Sequence, residues 1–198
     1  MSKGKLLILS GPSGVGKSSV VSELLTRCPD LYFSISATTR PKRPGEENGV
    51  NYWFVSREEF DDLLARDALL EHAEYVGNCY GTPAAPIDEA LDAGRDVLLD
   101  IEVQGAMQVK KKRPEAVMVF LAAPSFAELS RRLTGRGDTA PDKVRRRLEQ
   151  ARWEYRQAEN YSYIVVNNDI SAAAGELMSI IQAEKCRTKD RLDLLKED

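Results

Sequence analysis

Short apolar runs alternate with amphipathic segments along most of the chain. The apolar runs lie at residues 6–9, 96–102, 116–123 and 163–168. Apolar residues at helical spacing mark the segments 19–25, 86–94, 103–112, 125–133 and 171–189. An uninterrupted apolar run is typical of a parallel strand, because helices cover both faces of such a sheet. The alternation therefore predicts an α/β fold with a doubly wound parallel sheet.

The segment that follows the first predicted helix breaks this alternation. Residues 31–36 alternate in polarity like a strand, and residues 37–55 are rich in proline, glycine, asparagine and aromatic residues, which favours turns and short strands. Ser56 and Glu59 have the spacing of a capping box and predict a short helix. Residues 69–83 are again strand-like. We predict that this part of the chain forms a small mixed subdomain.

These patterns predict one domain, residues 1–198, with two insertions in its core. The mixed subdomain occupies about residues 34–82, and a charged, mostly helical segment occupies about residues 131–161. The predicted core comprises residues 1–33, 83–130 and 162–198.

The charged segment has two interpretations. It begins with glycines and continues as a helix, and it contains or adjoins the arginines Arg132, Arg136, Arg145, Arg146, Arg147 and Arg152. A solvated helix face explains several of them. A lid that closes over a nucleotide explains the glycines as well, because closure excludes water and brings positive charge to a transferring phosphoryl group. Just before this segment, Ser125 and Glu128 also have capping-box spacing.

A glycine-rich loop follows the first apolar run. The stretch GPSGVGKS, from Gly11 to Ser18, fits the phosphate-binding pattern GxxxxGK[ST] between a strand and a helix. Backbone N–H groups of such a loop surround phosphate oxygens, Lys17 reaches the β- and γ-phosphates, and the Ser18 hydroxyl binds Mg²⁺. The loop residues predicted to bind a nucleoside triphosphate, which the resemblance described below specifies as ATP, are Gly11, Pro12, Ser13, Gly14, Val15, Gly16, Lys17, Ser18 and Ser19.

Composition and charge narrow the class of protein. The chain has 198 residues, of which 42% are apolar, and its net charge of −3 gives no general attraction to nucleic acid. No apolar run has the length of a membrane span, so we expect a cytoplasmic protein with no membrane partner. Three widely spaced cysteines predict reduced thiols, and the lone His72 favours a structural role.

Two clusters predict a phosphorylated acceptor beside the phosphate loop. Arg40, Arg43 and Tyr52 lie within one short stretch, and arginine and tyrosine side chains suit a phosphate monoester dianion. A second stretch, EHAEYVGNCYGTP, adds Glu71, Tyr80 and Thr82.

With these motifs the chain resembles the guanylate kinases, the ATP-dependent kinases of GMP. The matching stretches are SGPSGVGKSS, SATTRPKRPGEENGVNYWFVS, EHAEYVGNCYGTP, LLDIEVQGA and RRLTGRG, in family order and over nearly the whole chain. The second stretch is the most specific, since many unrelated enzymes share the phosphate loop.

The resemblance implies a role for each matching residue. Arg40, Arg43, Tyr52 and Tyr80 would hold the GMP phosphate, and Ser36, Glu71 and Thr82 the guanine. Asp100, at a strand end, would lie near GMP, Mg²⁺ and the reacting phosphates, and Asn167 near the adenine. Glu102 counts among the GMP-site residues, although a second aspartate is common at its position. The implied catalytic residues are Lys17, Arg43, Asp100 and the lid arginines Arg132, Arg136 and Arg147.

The implied reaction is transfer of a phosphoryl group from ATP to GMP, and also to dGMP, assisted by Mg²⁺. A GMP phosphate oxygen is already deprotonated at neutral pH, so no general base is required, and charge neutralisation and alignment supply the catalysis. One alternative is a non-catalytic guanylate kinase-like scaffold that binds phosphopeptides. A GTP-hydrolysing switch is less compatible with the sequence. Such a protein needs an NKxD element that recognises guanine, and the stretch VNND is a poor substitute for it. The oligomeric state stays open.

Overall fold

The computed structural model describes residues 3–134 and 141–195. The strands of this part of the chain are β1 (Leu6–Ser10), β2 (Tyr32–Phe33), β3 (Ala37–Thr38), β4 (Trp53–Phe54), β5 (Leu69–Tyr75), β6 (Asn78–Pro83), β7 (Val97–Asp100), β8 (Val117–Ala122) and β9 (Tyr163–Val166). Its α-helices are α1 (Lys17–Arg27), α2 (Arg57–Ala65), α3 (Ala84–Asp92), α4 (Val103–Lys112), α5 (Phe126–Thr134), α6 (Pro141–Arg156), α7 (Ile170–Lys185) and α8 (Thr188–Arg191). Short 3₁₀ turns follow α6 and α8, at Gln157–Asn160 and Leu192–Leu195.

A parallel sheet of five strands forms the centre of the molecule. Its order is β2-β7-β1-β8-β9, and every neighbouring pair is parallel. Leu9 of β1 is in register with Asp100 of β7, so these two strands end side by side. The structure thus confirms the predicted α/β class with a parallel core.

Helices cover both faces of this sheet. Leu7 and Ile8 are fully buried neighbours on β1 that point to opposite faces and belong to two separate apolar clusters. The cluster of Leu7 includes residues of α1, α5 and α7, and that of Ile8 includes residues of α3 and α4. Burial on both sides explains why the inner strands β1, β7 and β8 are apolar at nearly every position.

A second sheet has mixed pairing and the order β4-β3-β6-β5. Strands β3 and β4 are parallel, whereas β6 is antiparallel to both β3 and β5. Helix α2 covers it with Phe60, which packs in a small core with Leu69 and Cys79. The capping box at Ser56 and Glu59 forms as expected, with both reciprocal hydrogen bonds present. The boundaries of the predicted subdomain remain a prediction.

The strand predicted at residues 31–36 is longer than the strand in the structure. Only Tyr32–Phe33 pairs with the central sheet, and the Ser34 N–H donates the last bond to it, to the Leu98 carbonyl at 3.0 Å. The chain then leaves this sheet and enters the second one at Ala37. The alternating run therefore contains only one two-residue strand, and the chain passes between the two sheets at its end. Among the helices of the described residues, none is both long and apolar enough to cross a membrane.

Candidate active site

The glycine-rich loop joins the end of β1 to the start of α1. Gly14 and Gly16 adopt φ values of 85° and 91°, in the left-handed region that favours glycine. A Cβ on Gly11 would lie 2.3 Å from the carbonyl oxygen of Leu121, so a side chain at that position would collide with β8. The loop therefore turns tightly and places the N-terminus of α1, with its free N–H groups, at the carboxyl end of the sheet.

Lys17 and Asp100 form an ion pair in this region. The Lys17 ammonium lies 2.9 Å from Asp100 Oδ1, and it also donates to the Ile101 carbonyl at 3.5 Å. The lysine begins α1 and the aspartate ends β7, so the pair bridges the loop and the neighbouring strand. Ser18, the next residue of α1, is exposed at the same helix end.

A clamp of two side chains holds the phosphate loop from the β9 side. The Val15 carbonyl accepts hydrogen bonds from the Asn167 amide at 2.8 Å and from Arg132 at 3.3 Å. Arg132 also donates to the Asn167 backbone carbonyl at 3.1 Å. A cleft of about 490 Å³ opens beside the clamp, and its lining includes Gly14, Gly16, Ser19, Arg131, Arg132, Asn167, Asn168 and Ile170.

Across the sheet end, the second sheet presents a buried carboxylate. Glu71 on β5 is 7% exposed, and its Oε1 accepts a hydrogen bond of 2.6 Å from the Thr82 hydroxyl on β6. Burial raises the pKa of Glu71, and the bond from Thr82 opposes that rise. The structure thus brings together two of the three residues predicted to hold guanine. The third, Ser36, is half-buried just before β3, and its carbonyl accepts the Trp53 N–H at 2.9 Å.

Three residues predicted to hold the acceptor phosphate lie close together on the second sheet. The Arg40 guanidinium stands 5.4 Å from the centroid of the Tyr52 ring, and that ring is 6.2 Å from the Tyr80 ring in an edge contact. Glu46 binds Arg40 through two bonds, of 2.8 and 3.0 Å, and accepts the Arg43 N–H at 2.8 Å. This contact raises the pKa of Arg40 and lowers that of Glu46.

Arg43 and Glu102 are less closely engaged. Arg43 is exposed on the loop after β3. Glu102 is exposed at the N-cap of α4, and no side-chain capping bond forms there. Burial raises the pKa of Glu154 and of Tyr161, and the nearby Glu102 charge adds to both rises.

The predicted lid arginines have different positions. Arg132 lies in the clamp and also donates to Glu128 at 2.8 Å. Arg147 is half-buried on α6, at i and i+4 spacing from the buried Ala151, so it points to the inner side of that helix. Arg136 lies outside the described residues.

The capping box expected at Ser125 forms only in part. The Ser125 hydroxyl accepts the Glu128 N–H at 3.1 Å, but the Glu128 carboxylate turns to Arg131 and Arg132 instead. These two hydrogen bonds lower the pKa of Glu128 to about 2. Two guanidinium groups outcompete one backbone N–H for the carboxylate.

Two acidic residues of this region, Glu154 and Glu46, were not predicted from the sequence. Glu154 on α6 is 3% exposed, and burial raises its pKa to about 7, while the nearby Lys17 lowers it and Glu102 raises it. Its position seven residues after Arg147 could have placed it on the inner face of the helix. Glu46 could have been found as the acid closest to Arg40 and Arg43 in sequence.

In this protein a loop of the phosphate-binding type joins a strand to a helix N-terminus at the carboxyl end of a parallel sheet. This arrangement defines the class of P-loop nucleotide-binding proteins. Within that class, the family model described as "Guanylate kinase" matches residues 3–184. The chain belongs to the guanylate kinase family, which confirms the resemblance seen in the sequence.

Individual relatives agree with this assignment. A "Guanylate kinase" of Thermus thermophilus is 52% identical over 94% of this chain and 84% of its own length. That of Desulfitobacterium hafniense is 48% identical over 94% of this chain and 93% of its own length. A crystal structure of guanylate kinase from Anaplasma phagocytophilum matches with a TM-score of 0.75 and 36% identity, and covers 96% of this chain and 90% of that chain.

Proposed function

We propose that this protein transfers the γ-phosphoryl group of ATP to GMP and dGMP, giving ADP and the corresponding diphosphate. The observation that carries the proposal, beside the family, is the buried Glu71 carboxylate held by Thr82. A buried carboxylate with one hydrogen-bonded oxygen can accept further hydrogen bonds. Leaving the remaining acceptor positions unpaired costs free energy.

Guanine is the base that suits this carboxylate. Its N1–H and 2-amino group are two adjacent donors that one carboxylate can accept together. Adenine has an unprotonated N1 and no amino group at C2, so AMP would leave the Glu71 carboxylate facing a lone pair. A site built around a polar group rejects such a ligand by large factors. Thr82 and Ser36 complete the proposed base site.

The GMP phosphate is held, in this proposal, by Arg40, Arg43, Tyr52 and Tyr80. Arg40 and the two tyrosines already lie together, as described above. Glu46 neutralises Arg40 in the structure and orders the loop through the Arg43 N–H. A phosphate dianion offers more charge and more acceptor oxygens than this carboxylate, and it can bind both arginines at once.

The phosphate loop is proposed to hold ATP. Backbone N–H groups of residues 11–19, except Pro12, which has none, surround its phosphates, and the Lys17 ammonium moves from Asp100 to the β- and γ-phosphates. The clamp of Asn167 and Arg132 keeps the loop in shape through Val15. The adenine is proposed to occupy the cleft beside Asn167.

The donor set suits Mg²⁺. Asp100 and Ser18 offer oxygen atoms, the ligands this cation prefers, and both lie at the carboxyl end of the sheet. Among residues 3–134 and 141–195 no cluster of three or more acidic, histidine or cysteine side chains could hold a metal ion. Such a sparse set fits a cation that keeps waters and binds mainly through phosphates. When bound, Mg²⁺ neutralises charge on the transferring phosphoryl group.

The transfer is proposed to be direct and in line. A GMP phosphate oxygen forms a bond to the γ-phosphorus of ATP, and the bond from that phosphorus to the β–γ bridging oxygen breaks. Lys17, Arg43 and the lid arginines Arg132, Arg136 and Arg147 neutralise the charge that spreads over the γ-phosphoryl oxygens. Asp100 positions Lys17 before the nucleotide arrives, and Glu102 follows two residues later in the chain, at the N-cap of α4.

A non-catalytic phosphopeptide scaffold is the less favoured alternative. A scaffold needs the acceptor-phosphate residues alone, whereas this chain also has the phosphate loop with Lys17 placed against Asp100. The parts required only for ATP are therefore intact.

A coupled assay of ADP release tests the proposal. With ATP and Mg²⁺, GMP and dGMP should be phosphorylated, and AMP, UMP and CMP should give turnover lower by orders of magnitude. Equal rates with all acceptors would contradict the proposed base site. Binding of GMP with no ADP release would instead support the scaffold alternative.

A further inference from the structure

One face of α4 is fastened to strand β5 of the second sheet. The side-chain amide of Gln108 donates to the His72 carbonyl at 3.0 Å and accepts the His72 N–H at 3.1 Å. One turn later, the Lys112 ammonium donates to the Leu69 carbonyl at 2.7 Å. These bonds fix the distance between the helix and the strand that presents Glu71.

Gly105 lies on the same face of α4, one turn before Gln108. A Cβ built on Gly105 would stand 2.7 Å from Glu71 Oε2, 3.2 Å from its Cδ and 3.3 Å from its Cγ. The Glu71 carboxylate therefore packs against the bare backbone of the helix. Its other oxygen is held by Thr82 at 2.6 Å, so it cannot turn away from a new methyl group without losing that bond.

The backbone itself does not require glycine at this position. Gly105 is an interior residue of α4 and is absent from the glycines with positive φ among the described residues. Glycine lowers helix propensity relative to alanine. Gly175 of α7 provides the comparison, since a Cβ there would meet nothing within 4 Å. The feature that distinguishes Gly105 is its contact with Glu71.

We propose that Gly105 is a positioning residue for base specificity: the absence of a side chain on α4 leaves the space in which Glu71 takes the position that recognises guanine. The inference rests on the proposed function and deepens it. It assigns to Gly105, a residue with no side chain to touch the acceptor, an effect on which base the acceptor site selects.

Gly105→Ala and its matched control Gly175→Ala test the inference. Gly105→Ala should raise KM for GMP about tenfold or more and narrow the ratio of kcat/KM between GMP and AMP, with KM for ATP unchanged. Gly175→Ala should leave all these constants unchanged. A loss of overall stability alone would not change the ratio of kcat/KM between GMP and AMP. A rise in KM for GMP without a rise in KM for ATP therefore distinguishes positioning of Glu71 from a general structural effect.

A second comparison removes the side chain with which the methyl group collides. In the Glu71→Ala background, Gly105→Ala should have no further effect on GMP kinetics and should raise Tm, because only the gain in helix propensity remains. This comparison also holds if Gly105→Ala alone folds poorly. The same loss of GMP efficiency from Gly105→Ala in both backgrounds would overturn the inference.

The two levels of the proposal fail separately. If the wild-type protein does not phosphorylate GMP, the proposed function is wrong. If it does, and Gly105→Ala keeps the wild-type KM for GMP and the wild-type discrimination against AMP, only the role of Gly105 is wrong.

Discussion

The side-chain amide of Asn167 donates a hydrogen bond of 2.8 Å to the backbone carbonyl of Val15, in the middle of the phosphate loop. Both residues are buried, and Asn167 follows directly after β9. The bond ties the loop after β1 to the end of a strand two positions away in the sheet. The shape of the loop therefore depends on a residue far from it in sequence.

Asn167→Ala should weaken ATP binding. The Val15 carbonyl would keep only the longer bond from Arg132, and loss of a buried hydrogen bond costs about 1–2 kcal/mol of stability. We expect KM for ATP to rise about tenfold, equivalent to about 1.4 kcal/mol, with KM for GMP little changed. Steady-state kinetics measure both, with Asn160→Ala as the control. An unchanged KM for ATP would contradict a role for the clamp.

Lys17→Met should abolish most of the turnover. The variant keeps the length of the side chain but removes the charge proposed to stabilise the transition state, so kcat should fall at least a hundredfold, about 2.7 kcal/mol. Circular dichroism should show an intact fold. Lys111→Met, an exposed position on α4, is the control. Turnover above about a tenth of the wild-type value would argue against the assigned role.

Glu71→Ala should relax base selectivity. The variant loses the acceptor for both guanine donors, so kcat/KM for GMP should fall on the order of a thousandfold. The ratio of kcat/KM for GMP to that for AMP should therefore decrease. KM for ATP should stay near its wild-type value. Glu74→Ala, exposed on the same strand, should behave like the wild type. If Glu71→Ala retains full discrimination, other residues recognise the base.

Arg147→Ala should lower kcat more than it changes either KM. The proposed contact forms when the lid closes over the transferring group, so it stabilises the transition state more than the bound substrates. Arg146→Ala, exposed on the same helix, should leave kcat within about twofold. Small-angle scattering with a bisubstrate analogue should show a more compact protein than with an ATP analogue alone. An unchanged radius of gyration would contradict closure of the proposed lid.

Glu154 should make stability depend on pH. Its pKa is about 7 in the folded protein against an ordinary value of 4.5, chiefly because of burial, with contributions from Gln150, Glu102 and Lys17. Between pH about 4.5 and 7 the folded state binds more protons than the unfolded state, so the free energy of unfolding falls as pH rises through this window. Above pH 7 this contribution is fully lost.

Glu154→Gln removes this dependence. The variant should exceed the wild type in unfolding free energy by about 3 kcal/mol at pH 8, and the difference should vanish near pH 4.5. Urea unfolding at the two pH values measures it. Glu149→Gln, exposed on the same helix, should show no such difference. A constant offset at both pH values would assign the effect to packing instead of charge.

The apolar strands of the central sheet were predictable because burial on both faces leaves a continuous local signal. The run from Leu31 to Ser36 was misleading, since the same alternation suits either sheet and gives no sign of the change between them. The charged pattern of the predicted lid gave no sign that Glu154 would be buried. Its burial results from packing between α6 and the sheet end, which the local sequence does not record.

The site was predictable in its parts but not in its contacts. The phosphate loop has a fixed spacing, and the arginines and tyrosines of the acceptor site lie in one short stretch. By contrast, the contact between Gly105 and Glu71 joins distant segments, and glycine in a helix gives no local sign of it. The clamp of Arg132 and Asn167 on Val15 likewise depends on the order of β1, β8 and β9 in the sheet.

The bonds between Gln108 and His72 also bear on how the protein behaves at high concentration. Strand β5 is the outermost strand of its sheet, and peptide groups on an unprotected edge can template pairing with another chain. The Gln108 amide occupies the N–H and the C=O of His72 together, as a neighbouring strand would, and Lys112 occupies the carbonyl of Leu69. The helix that fixes Glu71 thereby also occupies part of this edge, at Leu69 and His72, where an added strand would otherwise pair.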